Sequence, residues 1–261
     1  MRQLIKALLS HWSNMRWRRV PFRRYDPYVK TALNQVSIER VAATGQPMVW
    51  VAGWDRKTVN IGRSQSIEEE IDPDYAQTND ICIVRRQGGG GTTYLTPDGD
   101  ITWQLVAPTE LLPDDPNTIY AYICGQIADQ LRAHGIEAEH EPINDIRTPA
   151  GKLSGATLKE QDDVIYLAGT MLYQVDPEEM FSVLTPDEEK LEDKAADAFE
   201  DRVTAIEDEA PISYEETIDL LYHALLRSRP SETRGWTDEE QKKAEKRAEE
   251  LRQDKWAYQD E

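Results

Sequence analysis

The run Arg85-Arg86-Gln87-Gly88-Gly89-Gly90-Gly91-Thr92-Thr93-Tyr94 directly follows the apolar stretch Ile81-Cys82-Ile83-Val84. The apolar stretch reads as a buried strand, and glycine beside a strand weakens it unless something must approach the backbone closely. Bare glycine N–H groups, with the fixed charge of Arg85 and Arg86, suit a phosphate or a carboxylate. Taken alone, a glycine-rich hairpin turn with two solvated arginines accounts for the run equally well. The rest of the chain has to decide between the two.

Composition narrows the partners. Lysine and arginine total 30 against 49 aspartate and glutamate, a formal charge of -19, which argues against nucleic acid. The acidity is spread along the chain and fits either a surface adapted to high salt or one adapted to solubility. The 261 residues suffice for one large domain with a substantial core. Two cysteines, Cys82 in the apolar strand and Cys124 on a helix, predict plain core residues, no disulfide framework and a reducing, cytoplasmic setting. The first 24 residues are basic, but their short apolar stretch is broken by Lys6 and lacks a cleavage site, so they do not read as a secretory signal. No segment approaches the roughly 20 apolar residues that span a bilayer.

Periodicity predicts a mixed domain. Val29 to Val41 reads as a helix, and Pro47 to Asn60 as two strands paired around Gly53-Trp54-Asp55. Strands at 81–84 and 101–106 bracket the glycine run, with a turn at Pro97-Asp98-Gly99-Asp100. Ile119, Ile123, Ile127 and Leu131 recur at helical spacing after Asn117, and Gly135 closes that helix. Capping boxes at Thr185-Pro186-Asp187-Glu188 and Ser213-Tyr214-Glu215-Glu216 start two more. A last helix from Thr237 is polar on nearly every face, which predicts a solvated strut or a linker. Strands and helices at intervals give an α/β or α+β fold.

Five blocks in order carry a resemblance. Ile61-Gly62-Arg63-Ser64-Gln65, the arginine–glycine run, Asn144-Asp145 with Gly151-Lys152-Leu153-Ser154-Gly155-Ala156, Gly169-Thr170-Met171-Leu172 and Arg202-Val203-Thr204 are similar to the motif series of the lipoate-protein ligase family. Met15-Arg16-Trp17-Arg18 looks like the family's opening, and Trp236-Thr237 through Lys255-Trp256-Ala257-Tyr258 like the end of its large domain. The resemblance covers residues 15–261. It implies a biotin/lipoate ligase-like catalytic domain, a mixed and mostly antiparallel sheet packed by helices. Residues 1–14 would be an N-terminal extension, or a membrane-surface or partner helix. Residues 15–230 would be the catalytic domain and 231–261 its helical tail, with no accessory domain unless a second polypeptide supplies one.

The chemistry implied is ATP-dependent activation of lipoate to lipoyl-adenylate, followed by transfer to a lysine of a lipoyl-domain or H-protein-like acceptor. Lys152 would neutralise charge at the reacting carboxylate and α-phosphate. Asp145 would ligate Mg2+, Asn144 would bind nucleotide or fix its loop, and Arg85 would grip oxygens as a bidentate fork. Arg63, Arg86, Gly88, Gly89, Gly90, Gly91, Thr92, Tyr94, Ser154, Gly155, Ala156, Gly169, Thr170 and Arg202 complete the implied binding set. Two family histidines are missing, replaced by Leu95 and Ala168, and His11, His134, His140 and His223 lie outside the motifs. An octanoyl or lipoyl transferase of the same fold would need a cysteine nucleophile, and a catalytically impaired paralogue would act as a binding subunit; both stand as alternatives.

Overall fold

A computed structural model describes residues 15–86, 88–184, 203–227 and 229–253. The first fourteen residues, the capping box at 185–188, Arg202 and the 255–258 ending lie outside the described residues.

Among the described residues, eight strands form the main sheet in the order β11-β1-β2-β6-β10-β9-β8-β7. They are β1 (Trp17–Tyr25), β2 (Met48–Trp54), β6 (Asp100–Pro108), β7 (Glu139–Glu141), β8 (Asp145–Thr148), β9 (Gly151–Gln161), β10 (Val164–Leu172) and β11 (Ser231–Thr233). β1 runs parallel to β2 and β11, and the other neighbours are antiparallel. A second sheet, β4-β3-β5, holds β3 (Thr58–Ile61), β4 (Cys82–Arg85) and β5 (Thr93–Leu95). The fold is therefore mixed α/β with a mostly antiparallel sheet, as expected.

The expected hairpin at 47–60 is corrected. Both strands exist, but β2 lies between β1 and β6 of the large sheet, whereas β3 pairs with β4 and β5 of the small one. Every residue of β2 is buried, which only a central strand covered on both faces allows. Val49 and Val51 join one core, and Met48, Trp50 and Ala52 join the other.

Among the described residues, four long helices cover the sheet. α1 (Pro27–Thr44) starts at Asp26, whose carboxylate accepts from the N–H groups of Tyr28 and Val29, and ends at Gly45 with φ 65°. α2 (Pro116–Ala133) buries the predicted stripe of Ile119, Ile123, Ile127 and Leu131, with Asp115 as its cap. α3 (Tyr214–Leu226) has the predicted Ser213/Glu216 capping box. α2 and α3 pack on the face that carries Val49, Trp103 and Leu167. α1 and α4 (Asp238–Gln253) pack on the face that carries Trp50, Val106 and Tyr166. No described helix is long and apolar enough to cross a membrane.

α4 is not a solvated strut. Glu240, Ala244 and Ala248, spaced four apart, are buried against α1, and Thr237 and Glu240 exchange capping hydrogen bonds of 2.7 and 3.2 Å. Ion pairs do the rest: Arg247 to Glu39 at 2.5 Å, Arg252 to Asp26 at 2.8 Å, and Arg18 to Glu240 at 2.7 Å. Both members of the last pair are buried. Burial alone would raise the Glu240 carboxyl, but hydrogen bonds from Arg18 and Thr237 hold it below its ordinary value. Its contribution is present at neutral pH and is lost as pH falls through that depressed value. Glu240→Ala, which strands the Arg18 charge, is expected to lower the unfolding free energy by about 3–5 kcal/mol. Urea titration measures it, and a loss within about 1 kcal/mol would mean that the pair behaves as an exposed one.

Candidate active site

A cavity of about 510 Å3 lies between α1, the adjoining face of the large sheet and the small sheet. Cross-strand register builds its floor in rows: Thr102–Thr170–Gly155, then Gln104–Ala168–Thr157, then Val106–Tyr166–Lys159. Of the residues in these rows that line the cavity, Thr102, Thr170, Gly155, Ala168 and Thr157 are small while Tyr166 and Lys159 are large, so the sheet surface is lowest along the first two rows. Lys30, Thr31, Asn34, Gln35 and Ile38 of α1 form one wall, and Asn60 with the glycine loop forms another.

Lys152 stands on β9 rather than in a surface loop, and its Nζ lies 2.8 Å from Asp145 Oδ1 on β8. A register shift between Ile146 and Arg147 brings the two together. A Cβ built at Gly155 would sit 2.9 Å from Lys152 Nζ and 3.4 Å from Asp145 Oδ1, so the glycine makes room for the ion pair. Asn144 is tied to the same strand: its amide donates to the Ala156 carbonyl, while Ala156 N–H donates to the Asn144 carbonyl at 2.9 Å. Lys152, Asn144, Ser154, Gly155 and Ala156 all line the cavity; Asp145 meets it through Lys152.

The two arginines divide. Arg85 is buried, and its Nη1 donates to the carbonyls of Gly62, Arg63 and Gln65 at 3.0, 3.3 and 2.6 Å. It does not line the cavity. This corrects the expected phosphate fork at Arg85: alternate strand residues point to opposite faces, and Arg86 takes the cavity side. Arg86 in turn donates to the carbonyls of Asn60, Gly89 and Gly91, which braces the loop from below. Among the described residues, the N–H groups of Gly88, Gly89, Gly90 and Gly91 donate to no protein acceptor, and nothing lies within 4 Å of a Cβ built at Gly88, Gly89 or Gly91. The loop thus leaves its donors without protein acceptors and its glycine positions uncovered, as an anion site requires. Gln65 fastens it by accepting from Gly62 N–H at 2.7 Å and Thr92 Oγ1 at 3.1 Å.

Other expected residues fall differently. Tyr94 and Thr170 line the cavity. Gly169 reaches it by its backbone alone, and a Cβ there would overlap the Trp103 ring on the opposite face. Arg63 is exposed on its turn, outside the lining. Of the positions where histidines were missing, Leu95 is buried and Ala168 sits in the floor, and both line the cavity.

The sequence reading missed Lys30, Asn34, Trp54, Asn60, Asp100 and Tyr166, all in the lining. One signal was available: Lys30 shares the buried stripe of Leu33, Ser37 and Val41, an unusual place for a lysine. Burial pushes the Asp100 carboxyl up to about 8 against hydrogen bonds from Thr96, and among the described residues its Oδ1 has no partner. Burial, with the Arg86 charge adding to it, pushes the Lys30 ammonium down to about 7.

Because that value is below the 10.5 of an ordinary lysine, the unfolded chain holds the extra proton between the two. The contribution of Lys30 to stability therefore rises with pH through this window, and the buried charge costs most below it. Lys30→Met is expected to raise the melting temperature more at about pH 6 than at about pH 10. Equal shifts at both, measured by scanning calorimetry, would rule out a titrating amine.

Comparison with known proteins bears on the family and the fold. The model of the lipoyl protein ligase A/B catalytic domain matches residues 26–226. The octanoyltransferase LipM of Macrococcus caseolyticus is 23% identical over 219 residues, covering 74% of this chain and 78% of that protein. Lipoate-protein ligase A subunit 1 of Thermoplasma acidophilum is 29% identical over 182 residues, 66% of each chain. Among solved structures, the bipartite lipoate protein ligase of T. acidophilum, studied with its E2 lipoyl domain, superposes with a TM-score of 0.80 at 23% identity, covering 90% of this chain and 93% of that one. A T. acidophilum lipoate protein ligase with bound lipoic acid gives 0.77 at 20% identity, covering 93% and 98%. Lipoate-protein ligase A bound with ATP gives 0.75 at 20% identity, covering 90% and 94%. These structural likenesses show a shared fold. With the family model matching most of its length, the chain belongs to the lipoyl protein ligase A/B catalytic domain family.

Proposed function

We propose that this protein is an ATP-dependent lipoate-protein ligase. The lipoate carboxylate attacks the α-phosphate of ATP, pyrophosphate leaves, and lipoyl-adenylate forms. The ε-amine of an acceptor lysine then attacks the mixed anhydride, forming the amide and releasing AMP. The observation that carries this reading is the Lys152–Asp145 pair at 2.8 Å in a cavity that the glycine loop closes on another side. Asp145 holds the ammonium in place before substrate arrives, so no reorganisation is needed as charge builds on the transferring group. The loop N–H groups supply donors for phosphate oxygens. Mg2+, which arrives coordinated by phosphates and needs few protein carboxylates, would find one at Asp145 and would offset phosphate charge.

The transferase reading rests on the likeness to LipM, and the cysteines weigh against it. Neither Cys82 nor Cys124 lines the cavity. Burial raises the thiol of Cys82 and pushes that of Cys124 up to about 12, the opposite of an activated nucleophile. The acceptor we propose is a lipoyl domain or an H-protein-like domain, and the bipartite neighbour supports a separate accessory subunit as a second partner.

Incubation with ATP, Mg2+, lipoate and a lipoyl domain, with and without an accessory subunit, followed by intact-mass measurement, tests the whole reading. Unmodified acceptor together with no lipoate-dependent ATP–pyrophosphate exchange would refute it. Lys152→Ala is expected to keep the fold and lose about 2–4 kcal/mol of transition-state stabilisation in kcat/KM. Gly155→Ala displaces the flexible end of Lys152, so activity is expected to fall on the order of 10²-fold with little change in melting temperature; full activity would show that the placement of Lys152 is unimportant. The double variant Cys82→Ser, Cys124→Ser is expected to retain ATP-dependent transfer, and its complete loss in a folded protein would favour the thioester route.

A further inference from the structure

Lys30 in the α1 wall and Lys152 on β9 line the same cavity. The Lys30 Nζ lies 4.9 Å from the Trp54 ring centroid and 5.6 Å from that of Trp50, both on β2. With the Gln104 carboxamide turned so that its nitrogen donates to the Trp50 carbonyl at 2.7 Å, its oxygen accepts from Lys30 Nζ at 3.0 Å. Lys30 thus stands over β2 and β6, while Lys152 stands on β9. The order β2-β6-β10-β9 puts three strand spacings between them, roughly 14 Å. A linear acid with its carboxylate at Lys152 crosses the small residues of the floor and brings its far end to Lys30.

That far end is polar. Lys30 Nζ has three donors as an ammonium and two as a neutral amine, and Gln104 accepts from one, which leaves at least one for a ligand in either state. Among the described residues, the Oδ1 of Asn34, one turn along α1, has no hydrogen-bond partner, and Thr31 Oγ1 has none either. A saturated methyl terminus would displace water from these groups without replacing its hydrogen bonds, which is the costly case.

We propose that Lys30 is a specificity-determining residue, which favours an acyl acid with lone pairs at its far end, such as the dithiolane sulfurs of lipoate, over a saturated acid of the same length. This rests on the ligase reading and goes beyond it by assigning the acyl preference to one side chain.

The test compares the parent protein and Lys30→Met with lipoate, octanoate and 8-hydroxyoctanoate, by calorimetric Kd and by ATP–pyrophosphate exchange. The parent is expected to bind lipoate and 8-hydroxyoctanoate about tenfold or more tightly than octanoate, and the variant to lose that preference. Unchanged ratios in a folded variant overturn the proposal. A parent protein that prefers octanoate to 8-hydroxyoctanoate overturns it without any variant. Selective binding without exchange supports the role of Lys30 while refuting the ligase reading, and binding of none of the acids refutes both.

Discussion

Two-sided burial of the central sheet governs the architecture. All of β2 and nearly all of β6 are covered on both faces, so helices must lie on either side and polar groups there must find partners. On the face of α2 and α3 the apolar cover is the more extensive, with Trp17 and Trp103 fully buried. On the opposite face, the floor falls to glycine, alanine and threonine between β6 and β9, and α1 brings a lysine and an asparagine instead of more leucine. The cavity is the place where the second layer fails to seat against the first. Gly169 shows the two layers to be linked, because its missing side chain is what lets Trp103 pack so close beneath the cavity.

Local signals carried much of this. The isoleucine stripe of α2, the Ser213/Glu216 box and the glycine loop are legible because each depends on residues a few positions apart, where propensity, capping and conformational freedom act. The block around Lys152 was legible as a motif, although the Lys152–Asp145 contact needed the register shift between β8 and β9, which no window of sequence encodes.

The misses share a cause in long-range partners. Pro47 to Asn60 has the pattern of a hairpin, but the choice between a hairpin and two sheets is settled by β6 and β4, strands that come later in the chain. α4 has few apolar residues, and what holds it are carboxylates and arginines up to 226 positions away. Arg85 and Arg86 are adjacent and alike in charge, yet strand alternation sends one to the 62–65 turn and the other beneath the glycine loop. Lys30 looks like any surface lysine until Trp50 and Trp54 are placed beside it.

The bond between Arg18 and Glu240 also sets an order of events during synthesis. Its members are 222 residues apart, and α4 covers the outer side of α1, the helix that walls the cavity. Until residue 240 leaves the ribosome, the Arg18 guanidinium stays in water and the seam on α1 that receives Ala244 and Ala248 stays open. Contacts of such separation form late, after the loop-closure entropy has been met. The nascent chain therefore carries that seam uncovered from the completion of β10 until the last helix docks.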